Sequence, residues 1–344
     1  MVEPSVGRQL GWRHKLWTIG TALIAAVLIV LGLAVRWFEP LDAHSRVERY
    51  IRVQPGQSAS AVGYALQQAG IIRSGWAFDW ISRMTGLATH LTAGVYRLSP
   101  RDSLWQILTL MKEGRVVVIK VSIPEGLTVR EVVARLEAAH LGTPAAYQSL
   151  MKHPLPGMPR PKPGVRDPLE GFLFPATYDF PYGTTAREAL EIMWKTFQNE
   201  AIRGLYDRAH TKLSLTAWVT LASIVQAEDK VAAQAPMVAA VFENRLKQHM
   251  MLQSDATVRY ALGRKVGDAL TLTDLEVPSP YNTYRYPGLP PGPIDNPGLT
   301  MLKAVLDPAR VPYLYFVSLP NGRLLFAVTY QEQLAHERMA EGQQ

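Results

Sequence analysis

Hydrophobic and polar positions divide the chain into three regimes. From Leu16 to Val35 the run is apolar, relieved only by Thr18, Gly20, Thr21 and Gly32. A helix of that length rises about 30 Å, the thickness of a bilayer's hydrocarbon core. Arg8, Arg13, His14 and Lys15 precede it, and Arg36 and Trp37 follow. No convincing small-x-small cleavage site stands before Arg36. The pattern predicts a retained membrane helix over 16–36, with residues 1–15 in the cytoplasm and the rest of the chain outside it. Residues 37–49 read as a tether.

Beyond the tether the periodicity mixes strand and helix, which predicts an α+β protein. A module over 50–115 opens with a strand near Arg49–Val53 and a Pro55-Gly56 turn. Val62, Ala65, Leu66 and Ala69 mark the first helix, and Trp76, Trp80 and Met84 a second. Val95–Leu98 reads as a strand. Asp102 is the expected cap of a helix carrying Leu104, Ile107, Leu108 and Met111. A larger domain over 116–344 repeats this opening. Gly56 aligns with Gly126, Ser58 with Thr128, Val62 with Val132 and Leu66 with Leu136, always seventy residues apart. Such an offset predicts a duplicated strand–turn–helix unit.

In the larger domain, 185–209 reads as one long helix and Pro236 starts another. Between them, residues 214–230 predict a helix capped by Ser214. Leu215, Trp218, Val219, Ala222 and Val225 form its apolar stripe, and Glu228 shares a face with Ala217, Leu221 and Ile224. A carboxyl in apolar surroundings loses solvation of its anion, so its pKa rises toward that of a general acid. From Leu252 to Gly298 the chain is dense in Tyr, Asn, Thr, Pro and Gly, as expected of a long functional loop. Its amides, hydroxyls and aromatic faces suit a sugar. Asn321-Gly322 between two apolar runs predicts a hairpin.

Composition narrows the chemistry. Among 344 residues there is no Cys, which excludes disulfides, thiolate catalysis and Cys-based metal sites. The eight His are scattered, without a helical pair, so no metal or cofactor is expected. The net charge of +7 comes from dispersed basic residues, with no aromatic-interleaved stripe for nucleic acid. Neither a Gly-rich phosphate loop nor a Gly-x-Ser-x-Gly elbow is present. Carboxylate chemistry remains.

Several motifs in order resemble the endolytic murein transglycosylases, the MltG or YceG-like family. They are Glu170-Gly171-Phe172-Leu173-Phe174-Pro175, Ala222–Glu228, Asn244-Arg245-Leu246, Leu252–Val258, Tyr281–Tyr284 and Gly288–Gly292. The resemblance implies a LysM-like module over 50–115 and a catalytic domain over 116–344. It implies cleavage of the β-1,4 bond between N-acetylmuramic acid and N-acetylglucosamine in peptidoglycan strands, without water, leaving a 1,6-anhydro end. The family's catalytic Glu maps to Glu228. Gln226 stands where the family usually has an earlier Glu, and Gln333 where it commonly has His. Gln253, Asp255, Tyr260, Tyr281 and Asn282 are the expected substrate contacts. Expected partners are glycan strands, the bilayer through 16–36, and peptidoglycan synthases, at the inner cell membrane. Two alternatives stay open: a hydrolase using Glu228 and Asp255, and a non-catalytic wall-binding scaffold.

Overall fold

The computed structural model describes residues 36–228, 232–265 and 267–342, with isolated positions 17, 19, 21, 25 and 32 before them. The expected membrane span over 16–36 therefore lies mostly outside the described residues. Among those residues, no helix is long and apolar enough to cross a membrane. Mixed helix and sheet make an α+β fold. The chain divides into two compact units, residues 1–118 with 181–183, and 119–180 with 184–344.

The first unit runs β1 (Arg49–Val53), α1 (Ala59–Gln68), α2 (Gly75–Met84), β2 (Gly94–Leu98) and α3 (Leu104–Lys112). β1 and β2 are antiparallel, with Ile51 opposite Tyr96. Ser58, Ser74 and Ser103 cap the three helices by accepting a backbone N–H three residues on. Asp102, the expected cap of α3, instead accepts a hydrogen bond from Ser99 N at 2.7 Å. Ser103 takes the cap because Gln106 closes a capping box with it. A Cβ on Gly75 would stand 2.8 Å from the Gly63 backbone, so only glycine lets α1 and α2 approach this closely. Leu66, Phe78, Ile107 and Met111 form the buried centre.

The larger unit repeats the opening of the first. β3 (Val118–Ser122) leads through a turn to α4 (Val129–Ala138), as β1 leads to α1. Gly56 and Gly126 both take positive φ, +74° and +78°, which a glycine adopts without strain. α5 (Pro144–Leu150) follows, then β4 (Thr177–Pro181), which pairs with β3. Next come α6 (Ala186–Phe197), α7 (Leu215–Glu228), α8 (Ala235–Lys247), α9 (Asp255–Leu262) and α10 (Leu299–Leu306). The hairpin of β5 (Tyr315–Ser318) and β6 (Leu324–Ala327) and the terminal α11 (Tyr330–Glu341) complete it.

Two expectations change. The long helix over 185–209 is α6 followed by a wide π-turn, Gln198–Arg203. Gly204 N reaches back five residues to Asn199 O, and a side chain at Gly204 would collide with the Glu200 carbonyl. The stretch read as a long loop from Leu252 contains α9. Its first turn is polar, so the apolar periodicity is too short to announce a helix.

α7 is the pillar of this unit, packed against α8 and α10. Every residue from Trp218 to Val225 is buried, so the helix has no polar face. Its polar groups find internal partners. Trp218 Nε1 donates to Leu302 O at 2.8 Å, and Thr220 Oγ1 to Thr216 O at 2.7 Å. Ser223 Oγ accepts from Ile294 N at 3.1 Å, tying in the chain that follows the Pro-rich turns.

A buried carboxyl holds the other end of this framework. Glu170 is 3% exposed. Its Oε1 accepts from Val129 N, the first N–H of α4, at 2.9 Å, and its Oε2 from the Tyr260 hydroxyl at 3.1 Å. Burial, with the Asp167 charge next to it, pushes its pKa up to about 8. Between about 4.5 and about 8 the folded chain therefore holds a proton that the unfolded chain releases. Stability falls as pH rises through that window. Glu170→Gln keeps an acceptor for Val129 and cannot titrate. Its melting temperature, measured against the wild type by thermal denaturation, gains on the wild type as pH rises through the window. A difference that stays constant contradicts this assignment.

Candidate active site

Glu228 is the last residue of α7 and is half-buried. Ser214 does cap the start of this helix, accepting from Ala217 N at 3.2 Å. At the far end, Ser254 Oγ donates to Glu228 Oε1 at 2.6 Å. Ser254 occupies the N-cap position of α9, yet its side chain does not cap that helix. The Glu228 carboxyl instead stands against that helix end, where the Ala256 N–H acts to lower its pKa. The acid thus sits at a helix N-terminus, where exposed N–H groups and the helix dipole favour an anion.

Opposing effects set its proton affinity. Burial raises the Glu228 pKa most, and the Asp255 charge adds to it. The Ser254 hydrogen bond is the main counterweight, helped by Arg259 and by Ala256 N–H. Burial outweighs them, and Glu228 stands above the ordinary carboxylate range.

The surrounding loops are pinned by buried polar bonds. Ser254 N donates to Thr283 Oγ1 at 3.0 Å, and Thr257 Oγ1 lies 2.8 Å from the same oxygen. Arg245 of α8 is 9% exposed and stacks on Tyr315 at 5.1 Å. Its guanidinium donates to Leu314 O at 2.6 Å and to Leu252 O at 2.9 Å, joining the hairpin to the segment before Ser254. It also acts electrostatically on Glu228. Gln226, where the family's earlier Glu is expected, accepts from Gly298 N at 2.9 Å and so anchors the start of α10. Gln333 donates to Phe316 O at 3.3 Å, tying α11 to β5.

The expected substrate contacts fall into three places. Gln253 and Asp255 flank Ser254. Gln253 is exposed with φ +51°, a left-handed backbone uncommon for a residue with a side chain. Asp255 Oδ1 accepts from the Tyr284 hydroxyl at 2.7 Å, and its Oδ2 faces Arg259 at 3.4 Å. Tyr260 lies farther along α9, with its hydroxyl on Glu170 and its ring 4.9 Å from that of Tyr281. Tyr281 and Asn282 are buried. The Asn282 amide donates to Leu275 O and Val277 O and accepts from Tyr284 N, so its side chain knits the loop together.

Several site residues escape sequence reasoning. Ser254, Thr283 and Arg245 lie in motifs, but nothing in their spacing tells which side chain faces Glu228. Asp295 is 3% exposed, its Oδ1 has no partner, and burial holds its carboxyl well above the usual range. It lines a cavity of about 40 Å³ with Ala227, Ala256 and Arg259, large enough for a water or a ligand hydroxyl. A second cavity, of about 600 Å³, shares Thr128, Tyr260 and Arg264 with it. Among the described residues, no three His, Asp or Glu side chains converge as metal ligands.

Known proteins are similar in sequence, and one in architecture. An endolytic murein transglycosylase of Bacillus subtilis is 32% identical over 308 residues, 86% of this chain and 85% of that protein. Its namesake in Streptococcus pneumoniae strain D39 is 28% identical over 87% of this chain, which spans 59% of the longer pneumococcal protein. The crystal structure of a YceG-like protein of Listeria monocytogenes, 32% identical, superimposes with a TM-score of 0.53 over 85% of this chain and all of that one. The sequence pattern of the YceG-like family matches residues 51–339. The chain belongs to the YceG-like family.

Proposed function

We infer that the chain is a lytic transglycosylase that cuts peptidoglycan strands endolytically between N-acetylmuramic acid and N-acetylglucosamine, with Glu228 as its acid and then its base. The observation that carries this reading is one half-buried carboxyl, its pKa raised by burial, held by Ser254 at the start of α9. Protonated Glu228 donates to the glycosidic oxygen as the C1–O bond breaks. The anion left behind is met by the Ser254 hydroxyl and the N–H groups of α9. It then takes the proton of the muramyl C6 hydroxyl, whose oxygen closes on C1. The acid ends as it began, and no water enters.

The first unit supports a LysM-like reading by its order of strand, two helices and strand. We place the chain in the inner cell membrane through 16–36, its catalytic domain outside the cytoplasm, near synthases that make its substrate. The proximity of Asp255, whose charge acts on Glu228, favours one rival, a two-carboxylate hydrolase. That mechanism requires a second carboxyl as base or nucleophile.

Three outcomes follow for the full-length chain digesting glycan strands, with products read by mass spectrometry. The wild type releases fragments with 1,6-anhydro ends, and Glu228→Gln lowers their rate by about 10³-fold or more with circular dichroism unchanged. Hydrated reducing ends contradict the lytic reading. Asp255→Asn retains anhydro products at a reduced rate, whereas the hydrolase requires it to be as inactive as Glu228→Gln. Ser254→Ala removes the main hydrogen bond that lowers the Glu228 pKa. The alkaline limb of the pH–rate profile, where the acid loses its proton, therefore moves to higher pH. A limb that stays in place or moves down shows that Ser254 does not govern the acid.

A further inference from the structure

The larger of the two adjoining cavities has chemistry that glycan cleavage leaves unexplained. Its volume is about 600 Å³, and it lies wholly within the larger unit. Met151, Val165 and Pro168 supply an apolar wall. Five basic side chains line it against three carboxyls. Two of the five are engaged. Arg166 donates to Tyr260 O and Ala261 O, and Arg264 forms a two-pronged pair with Asp274, both bonds 2.8 Å. The other three, Arg130, Lys152 and Lys265, are exposed. Among the described residues, their side chains have no hydrogen-bond or ion-pair partner within bonding distance.

The carboxyls offset them only in part. Glu131 is engaged in the cap of α4, accepting from Thr128 N and Oγ1. Glu170 is buried on Val129 and Tyr260, and its raised pKa keeps it largely neutral at pH 7. Asp167 accepts from Leu169 N at 3.0 Å and interacts electrostatically with Arg130 and Arg166. A rim of exposed cations around an apolar wall fits a ligand that alternates small apolar groups with carboxylates. The cavity shares walls with the smaller one beside Ala227 and Ala256, so such a ligand would be attached close to the scissile bond.

We propose that this cavity binds the carboxylate-bearing peptide branch carried by muramic acid, with Arg130, Lys152 and Lys265 as the cations that select it. The proposal rests on Glu228 being the glycan-cleaving acid, since that places a muramyl residue beside the smaller cavity. It makes the enzyme a reader of peptide substitution: strands that carry peptides are cut in preference to bare ones. The same cations could instead meet a diphosphate at a lipid-linked strand end, and the test separates the two.

The experiment uses the full-length chain and its Arg130→Ala/Lys152→Ala/Lys265→Ala variant. Calorimetry measures binding of N-acetylmuramyl-L-alanyl-D-glutamate and, separately, of inorganic diphosphate. The muramyl peptide binds the wild type and binds the triple variant about tenfold more weakly, as expected for loss of three exposed ion pairs. Added salt narrows that gap. Equal binding by both proteins overturns the proposal, and so does diphosphate binding that exceeds muramyl-peptide binding and alone responds to the substitutions. In the cleavage arm, kcat/KM is compared on peptide-bearing and peptide-stripped strands. The wild type prefers the former, and the triple variant loses most of that preference through KM. A preference equal in the two proteins overturns the proposal. If the wild type cleaves neither strand, the glycan-cleaving reading fails, and with it the assignment to this branch, whatever the binding arm gives.

Discussion

One hydrogen bond organises the site: the Ser254 hydroxyl on the Glu228 carboxyl. Ser254 stands at the N-cap of α9 and would ordinarily satisfy that helix's own N–H groups. Its hydroxyl instead donates a hydrogen bond to Glu228, which sets the carboxyl against that helix end. The acid of α7 and the first turn of α9 thereby become one unit. Thr283 and Thr257 fix Ser254 from behind, and Arg245 fixes the segment before it. The buried carboxyl of Glu170 then ties α9, through Tyr260, to the start of α4. Ser254, Thr257, Thr283, Glu170 and Tyr260 in this series are themselves buried, which lets a loop-built site keep its geometry.

The arrangement sets two demands against each other. An acid must hold its proton near neutral pH, and burial at the end of an apolar helix provides that. The same carboxyl must survive as an anion partway through the reaction, and Ser254, Ala256 N–H and Arg259 serve that state. Full burial without donors would make Glu228 a permanent acid. Full exposure would make it a permanent base. Half-burial against a helix N-terminus lets one residue do both.

The legible parts of the fold were those carried by local chemistry. The duplicated strand–turn–helix opening was readable because glycine is needed at Gly56 and Gly126, and Ser58 and Thr128 announce the helices after them. The Glu228 helix was readable from its cap and apolar spacing, although its burial on all sides was not, since Thr220 and Ser223 look solvent-facing until their partners are seen. α9 was hidden because its first turn is polar and its N-cap side chain turns away to a residue distant in the chain, Glu228. The same reason limited the site. Glu228 could be proposed from its own helix and the family resemblance. Ser254, Arg245 and Asp295 depend on tertiary neighbours, and Tyr281 and Asn282 carry sugar-binding chemistry in their type while their positions place them inside.

The account depends on the protonation of Glu228, and that can be read directly. Difference infrared spectra of the wild type minus Glu228→Gln, recorded as a pH titration, isolate the carbonyl stretch of this one carboxyl. The account predicts that the protonated band persists above the ordinary carboxylate midpoint of about 4.5. A midpoint at or below that value would contradict it, because Glu228 would then reach neutral pH already ionised and could not serve as the acid.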